Sequence, residues 1–144
     1  MKIYLDNCCF NRPFDDQTQI RILLETEAKL KIQRDVLRGK FDLIWSYILD
    51  AENNANPFDE RREVIRSWKQ YSTMIIIQND SILKRASELI SAGIRSKDAL
   101  HLACAVAAES TYFLITDDKI LNKKSFVEEL TITDPIGFIR EVYP

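Results

Sequence analysis

A single histidine, three cysteines and three glycines in 144 residues exclude several kinds of protein at the outset. One imidazole and no Cys-x-x-Cys pair leave too few soft ligands for a structural zinc. Cys8, Cys9 and Cys104 are odd in number, and sequence neighbours such as Cys8 and Cys9 rarely bridge each other. A reducing compartment is therefore expected, with all three thiols acting as small buried apolar groups. Only 3 Gly and 4 Pro, against 46% hydrophobic and 29% charged residues, leave no compositional case for a linker or a disordered tract. No stretch approaches the roughly 18 consecutive apolar residues of a membrane span, and the opening of one Lys, a short strand and an acid is not a secretory signal. A cytoplasmic protein with no membrane partner is expected. The formal net charge of -2 gives no basic footprint of a nucleic-acid binder. There is also no G-x-S-x-G elbow and no phosphate-binding G-x-x-x-x-G-K-[ST] loop.

What is present is an alternation of two periods. The runs "KIYL" (2–5), "FDLIW" (41–45), "MIII" (74–77), "YFLI" (112–115) and "LTI" (130–132) are short and mostly continuous, as strands covered on both faces are. Between them the apolar residues recur at helical spacing. In "NDSILKRASELISAG" the residues Ile82, Leu83, Ala86, Leu89 and Ile90 form one stripe, Asp80 or Ser81 can cap the start, and Gly93 stands at the end. Residues 17–38 read as one helix or two, closed by Gly39; further helices are expected over 47–55 and after Asp59, on either side of Pro57. "SKDALHLACAVAAES" reads as a buried helix with Ser96 as its cap. The length suits one domain over 1–144, and strands alternating with helices predict an α/β fold of three layers around a parallel sheet.

In such sheets ligands bind beyond the carboxyl ends of the strands. Asp6 ends the first apolar run, and Asp117 ends "YFLIT" in the same manner. Asp98 falls in the first turn of the buried helix, where amide groups and the helix dipole favour an anion. Glu52 lies on the helix after the second strand, with Asp50 as its competitor. Taken singly, each acid has an ordinary reading as a cap, a turn residue or a solvated side chain, and His101 reads as a hydrogen-bonded core histidine. Joint placement at one sheet edge changes this. Carboxylates converging on one pocket repel by roughly 4 kcal/mol per pair at about 4 Å and an effective dielectric near 20. A hard cation, Mg²⁺ or Mn²⁺, resolves the repulsion through oxygen ligands alone. Setting the four acids aside turns the net charge slightly positive. Arg12, Arg21, Lys29, Lys31, Arg34, Arg38 and Lys40 cluster in one segment, but interrupting acids make a solvated helix face the expected account of most of them.

On these residues the chain resembles the PIN-domain family, metal-dependent ribonucleases that include the toxins of VapBC-type toxin-antitoxin pairs. "IYLDNCCFNRPFDD" is similar to its opening strand and first acid, and "IWSYILDAENNANP" to its second strand, serine and helix acid. "SKDALHLACAVAAESTYFLITDDKIL" is similar to its helix acid, alanine-rich helix, strand and closing acid. Asn7 stands where the family often has Ser or Thr, and Asp118 follows Asp117 directly, so either could be the fourth acid, with strand register favouring Asp117. The resemblance implies a PIN-like sheet of five parallel strands between helices, with Asp6, Glu52, Asp98 and Asp117 as catalytic, metal-binding acids. It further implies an endoribonuclease using Mg²⁺ or Mn²⁺, with RNA as substrate and an antitoxin protein or a second copy of the chain as candidate partners. Two other readings compete. A haloacid-dehalogenase-type phosphatase also starts with an acid after its first strand, but needs another acid two residues on, where Cys8 stands. A catalytically inactive PIN-like module would use the same fold only to bind RNA or a protein.

Overall fold

The computed structural model describes residues 1–143. Strands β1 (Lys2–Leu5), β2 (Asp42–Ser46), β3 (Ser72–Ile76), β4 (Tyr112–Leu114) and β5 (Thr131–Thr133) form one parallel sheet in the order β3-β2-β1-β4-β5. Tyr4 pairs with Ile44 on one side and with Phe113 on the other, which places β1 at the centre. Ile3, Tyr4 and Leu5 are all buried, as are Leu43, Ile44 and Trp45. Successive side chains of a strand point to opposite faces, so helices must cover both.

Helices α1 (Asn7–Asn11), α2 (Ile20–Leu37), α3 (Tyr47–Asn54), α4 (Asp59–Ser67), α5 (Asp80–Ser91), α6 (Ser96–Ala107), α7 (Asp118–Leu121) and α8 (Pro135–Val142) alternate with the strands. Tyr4 meets His101 of α6 edge to face, whereas Tyr112 meets Phe138 of α8 with ring centroids 4.9 Å apart. Phe113, next to Tyr112, stacks on Tyr4. Neighbouring residues of β4 thus face different helices, α6 on one side of the sheet and α8 on the other. α5 packs beside α6, and α2 beside α8, completing the expected three layers. No helix among the described residues is long and apolar enough to cross a membrane.

Several local expectations need correction. α2 is one unbroken helix, and the short α1 and a 3-10 turn at Arg12–Phe14 precede it. β3 lies two residues earlier at its start than the apolar run suggested. Asn79, rather than Asp80 or Ser81, caps α5, its side chain accepting a hydrogen bond from the Ile82 amide at 2.9 Å. Ser96 is the first residue of α6, and Arg95 takes the cap position with extended backbone and no side-chain cap bond. Gly93 closes α5 at φ +97°, a left-handed conformation that glycine adopts freely. Cys9 and Cys104 are buried as expected, but Cys8 is only half-buried; all three are free thiols.

Of the basic segment, Arg21, Arg34, Arg38 and Lys40 are exposed, as a solvated face requires, but α2 also buries charge. Glu25, Lys29 and Asp35 are buried on it. Arg12 and Arg21 reach the Glu25 carboxylate at 3.2 and 3.5 Å, and Lys31 and Arg38 reach Asp35 at 3.0 and 3.5 Å. These cations are consumed by internal pairs. Lys29 has no carboxylate within ion-pair reach among the described residues, and its ammonium lies 5.5 Å from the centre of the Phe10 ring.

Candidate active site

The chain adds β2 and β3 on one side of β1 and then returns to add β4 and β5 on the other. The turnover falls between β1 and β4, where loops leaving the two strand ends diverge and open a crevice. Asp6 and Asp117 stand at these two ends. The Asp6 amide donates to the Leu114 carbonyl at 2.9 Å, carrying the pairing of the strands to the acid itself. Asp6 Oδ2 accepts from the Cys8 amide at 3.1 Å and so caps α1. Its other oxygen, Oδ1, is buried and accepts no hydrogen bond.

The helices bring two more acids. Asp98, in the first turn of α6, and Glu52, on α3, line a cleft of about 410 Å³ together with Asp6, Arg95, Ser96 and Lys97. Asp50 is turned elsewhere, since its carboxylate accepts from Trp45 Nε1 and from Lys69 Nζ, both at 2.9 Å. Asp117 is not in the cleft lining and reaches it through Arg95, whose Nη2 donates to Asp117 Oδ2 at 2.6 Å and whose Nε donates to Asp98 Oδ2 at 3.3 Å. Asp118 is bound by both terminal nitrogens of Arg21, at 2.9 and 2.8 Å, and is exposed. Two acids that competed in sequence therefore have other partners, and Glu52 and Asp117 are left nearer the cleft.

His101 belongs to this group. Its ring is fully buried, and Nε2 hydrogen-bonds the Glu52 carboxylate and lies 3.7 Å from Asp6 Oδ1. Nδ1 shares a hydrogen bond with the Tyr4 hydroxyl at 2.6 Å, and that hydroxyl also pairs with Ser46 Oγ at 2.6 Å. Ser46 in turn caps α3 by accepting from the Leu49 amide at 3.2 Å. One chain of polar groups thus joins β1, β2, α3 and α6. Tyr4→Phe is expected to cost about 1–3 kcal/mol in urea unfolding, because it leaves the buried His101 Nδ1 without a partner and removes one of the two hydrogen bonds of Ser46 Oγ.

Charge shapes the ionisation of the site. Burial raises the Asp98 carboxyl above the ordinary value, and the nearby charges of Asp6 and Asp117 add to this while Arg95 opposes it. Burial also disfavours ionised Glu52, but the hydrogen bond and charge of His101, with Lys97 and Asn7, outweigh it and hold the carboxyl below its usual value. For His101 burial favours the neutral ring, yet Glu52, Asp6 and Asp98 together raise its pKa.

The donors have the chemistry of a hard-cation site: carboxylate oxygens converging from strand ends and helices, one of them buried and unpartnered. As placed, no three acidic, His or Cys side chains among the described residues stand close enough together to hold an ion. Arg95 draws Asp98 and Asp117 to itself, and His101 engages Glu52. An all-oxygen donor set is the kind that Mg²⁺ or Mn²⁺ takes, and Arg95 and His101 pair with three of its four acids. Arg95 and Tyr4 escaped the sequence reading because a basic residue before a helix and a tyrosine inside an apolar strand carry no distinctive signal. His101 carried one, its spacing of one helical turn from Asp98.

No family model matches the sequence, and no curated protein matches it. In three dimensions the chain is similar to a chain in the crystal structure of VapBC2 from Rickettsia felis bound to a DNA fragment from their promoter. The TM-score is 0.62 and the match covers 93% of this chain and 98% of that one, with 14% sequence identity. At that identity the likeness is one of fold. The expected resemblance to a VapBC component, with a PIN-like architecture of five parallel strands between helices, is borne out at this level.

Proposed function

We propose that the chain is a single PIN-like nuclease domain over residues 1–144, a metal-dependent endoribonuclease acting as the toxin of a toxin-antitoxin pair. The observation that carries this reading is the unpartnered, buried Asp6 oxygen in a cleft shared with Glu52 and Asp98 at the switch point of the sheet. Asp6, Glu52, Asp98 and Asp117 would hold Mg²⁺ or Mn²⁺. Such an ion, when bound, neutralises phosphate charge and makes water acidic enough to act as a nucleophile. The chain's own groups do the rest. Arg95 and Lys97 line the cleft and attract the phosphate backbone, while His101, held by Tyr4, orients the Glu52 carboxylate.

The likeness to VapBC2 supports an antitoxin partner, and α2 offers surface for a protein through Ile20, Leu24 and Leu37, which are exposed. Three free thiols suit the reducing cytoplasm. Hydrolysis by water breaks the bond from phosphorus to the 3′ oxygen and leaves 5′-phosphate and 3′-hydroxyl ends. Those ends are expected when RNA is incubated with the protein and Mn²⁺, and no cleavage is expected in EDTA. Primary products ending in 2′,3′-cyclic phosphate would exclude the mechanism, since the RNA's own 2′-hydroxyl would then be the nucleophile. Absence of cleavage with either metal would favour the inactive binding module.

A further inference from the structure

We propose that Arg95 is a displaceable internal counter-cation: it bridges Asp98 and Asp117, and a divalent cation that takes these carboxylates competes with it and turns it to the RNA phosphate. The inference rests on the metal-nuclease reading above and assigns a role to a residue outside the acid set.

The geometry is specific. Asp117 has two oxygens with separate tasks. Oδ1 accepts from the Lys119 amide at 2.8 Å and caps α7, so Oδ2 alone is left without a backbone partner, and Arg95 Nη2 occupies it at 2.6 Å. The same guanidinium takes Asp98 Oδ2 through Nε at 3.3 Å. An ion that uses both acids must therefore compete with Arg95 for these oxygens. The planar, forked guanidinium can span two carboxylates from one side chain, which a lysine ammonium does less well.

The bridge is also easy to break. The Arg95 side chain is 63% exposed, and ion pairs open to water are weak and screened by salt. Its backbone, by contrast, is held at the cap position of α6, so a released side chain stays beside the cleft. Freed from both acids, the guanidinium offers paired N–H donors to phosphate oxygens. Entry of the cation and capture of the substrate become linked through one residue.

Manganese titration of the metal-free full chain tests this, read by calorimetry and by the electron paramagnetic resonance of free Mn²⁺. Arg95→Gln is expected to bind Mn²⁺ roughly tenfold more tightly than the parent, as the loss of two competing, partly exposed ion pairs allows. Without metal the variant should melt below the parent, because Asp98 and Asp117 then repel without compensation, and it should gain more in Tm from Mn²⁺. Arg95→Lys should fall between the two. With RNA, Arg95→Gln should raise KM more than it lowers kcat. If the parent binds Mn²⁺ as tightly as Arg95→Gln, or more tightly, the competition is overturned while the metal site stands. If neither protein binds Mn²⁺, the metal reading falls and the Arg95 role falls with it.

Discussion

Asp6→Asn and Asp98→Asn are each expected to reduce RNA cleavage by at least about a thousandfold, the scale on which loss of a principal charge-stabilising group acts, while the fold survives. Asn keeps the shape of Asp and an oxygen for the Cys8 amide, so the cap on α1 is retained in the Asp6 variant. What is lost is a charged ligand. The Asp98 variant has a second expected signature. Burial, then Asp6 and Asp117, raise the Asp98 carboxyl above its ordinary value. Over the window between those values the folded state keeps a proton that the unfolded state releases, so stability falls as pH rises and stays lower above it. At neutral pH, Asp98→Asn should therefore melt at or above the parent in the absence of metal, and it should lose the stabilisation that Mn²⁺ confers on the parent. Full cleavage activity in both variants would overturn the assignment of the acids. A variant that is inactive because it is unfolded would be exposed by its melting curve.

The largest expected effect on stability lies away from the cleft. Lys29→Met should stabilise the protein by roughly 2–3 kcal/mol at neutral pH, because Lys29 is buried against Phe10 without a carboxylate partner among the described residues. Burial lowers its pKa to about 8 from the ordinary value of 10.5, with Cys9 opposing. Below pH 8 both states are protonated and the folded state bears the full desolvation cost. Between pH 8 and about 10.5 the folded protein has released a proton that the unfolded chain still holds, so stability rises with pH through that window. Met keeps the length of the side chain and packs against the aromatic ring. Urea unfolding from pH 7 to pH 10.5 should show a gain for the parent that is absent from Lys29→Met. Equal pH dependence in both proteins would show that Lys29 is solvated.

Much of the architecture was legible in local pattern. Each of the five strands overlaps the short apolar run that marked it; the inner strands β1, β2 and β4 are buried on both faces and so cannot alternate polar with apolar residues, whereas the edge strands β3 and β5 alternate in burial. Asp6 and Asp117 were recognisable for the related reason that a carboxylate ending such a run must leave the sheet where loops diverge. Helix caps were less legible. Asn79, Asp80 and Ser81 are all competent caps by residue type, and only the backbone geometry selects Asn79.

By itself the sequence determined the α/β class, the run of elements and the strand ends at which acids collect, since these depend on the period of neighbouring residues. The tertiary structure decided which acids share a cleft and what each one faces. Asp50 was removed from the site by Trp45 and Lys69, Asp118 by Arg21 from 97 residues away, and Asp98 and Asp117 were joined by Arg95. Lys29, unremarkable in a basic segment, became a buried cation once α1 brought Phe10 over it. Charge acts through distance in space and through exposure to water, and neither is written in the spacing of residues along the chain.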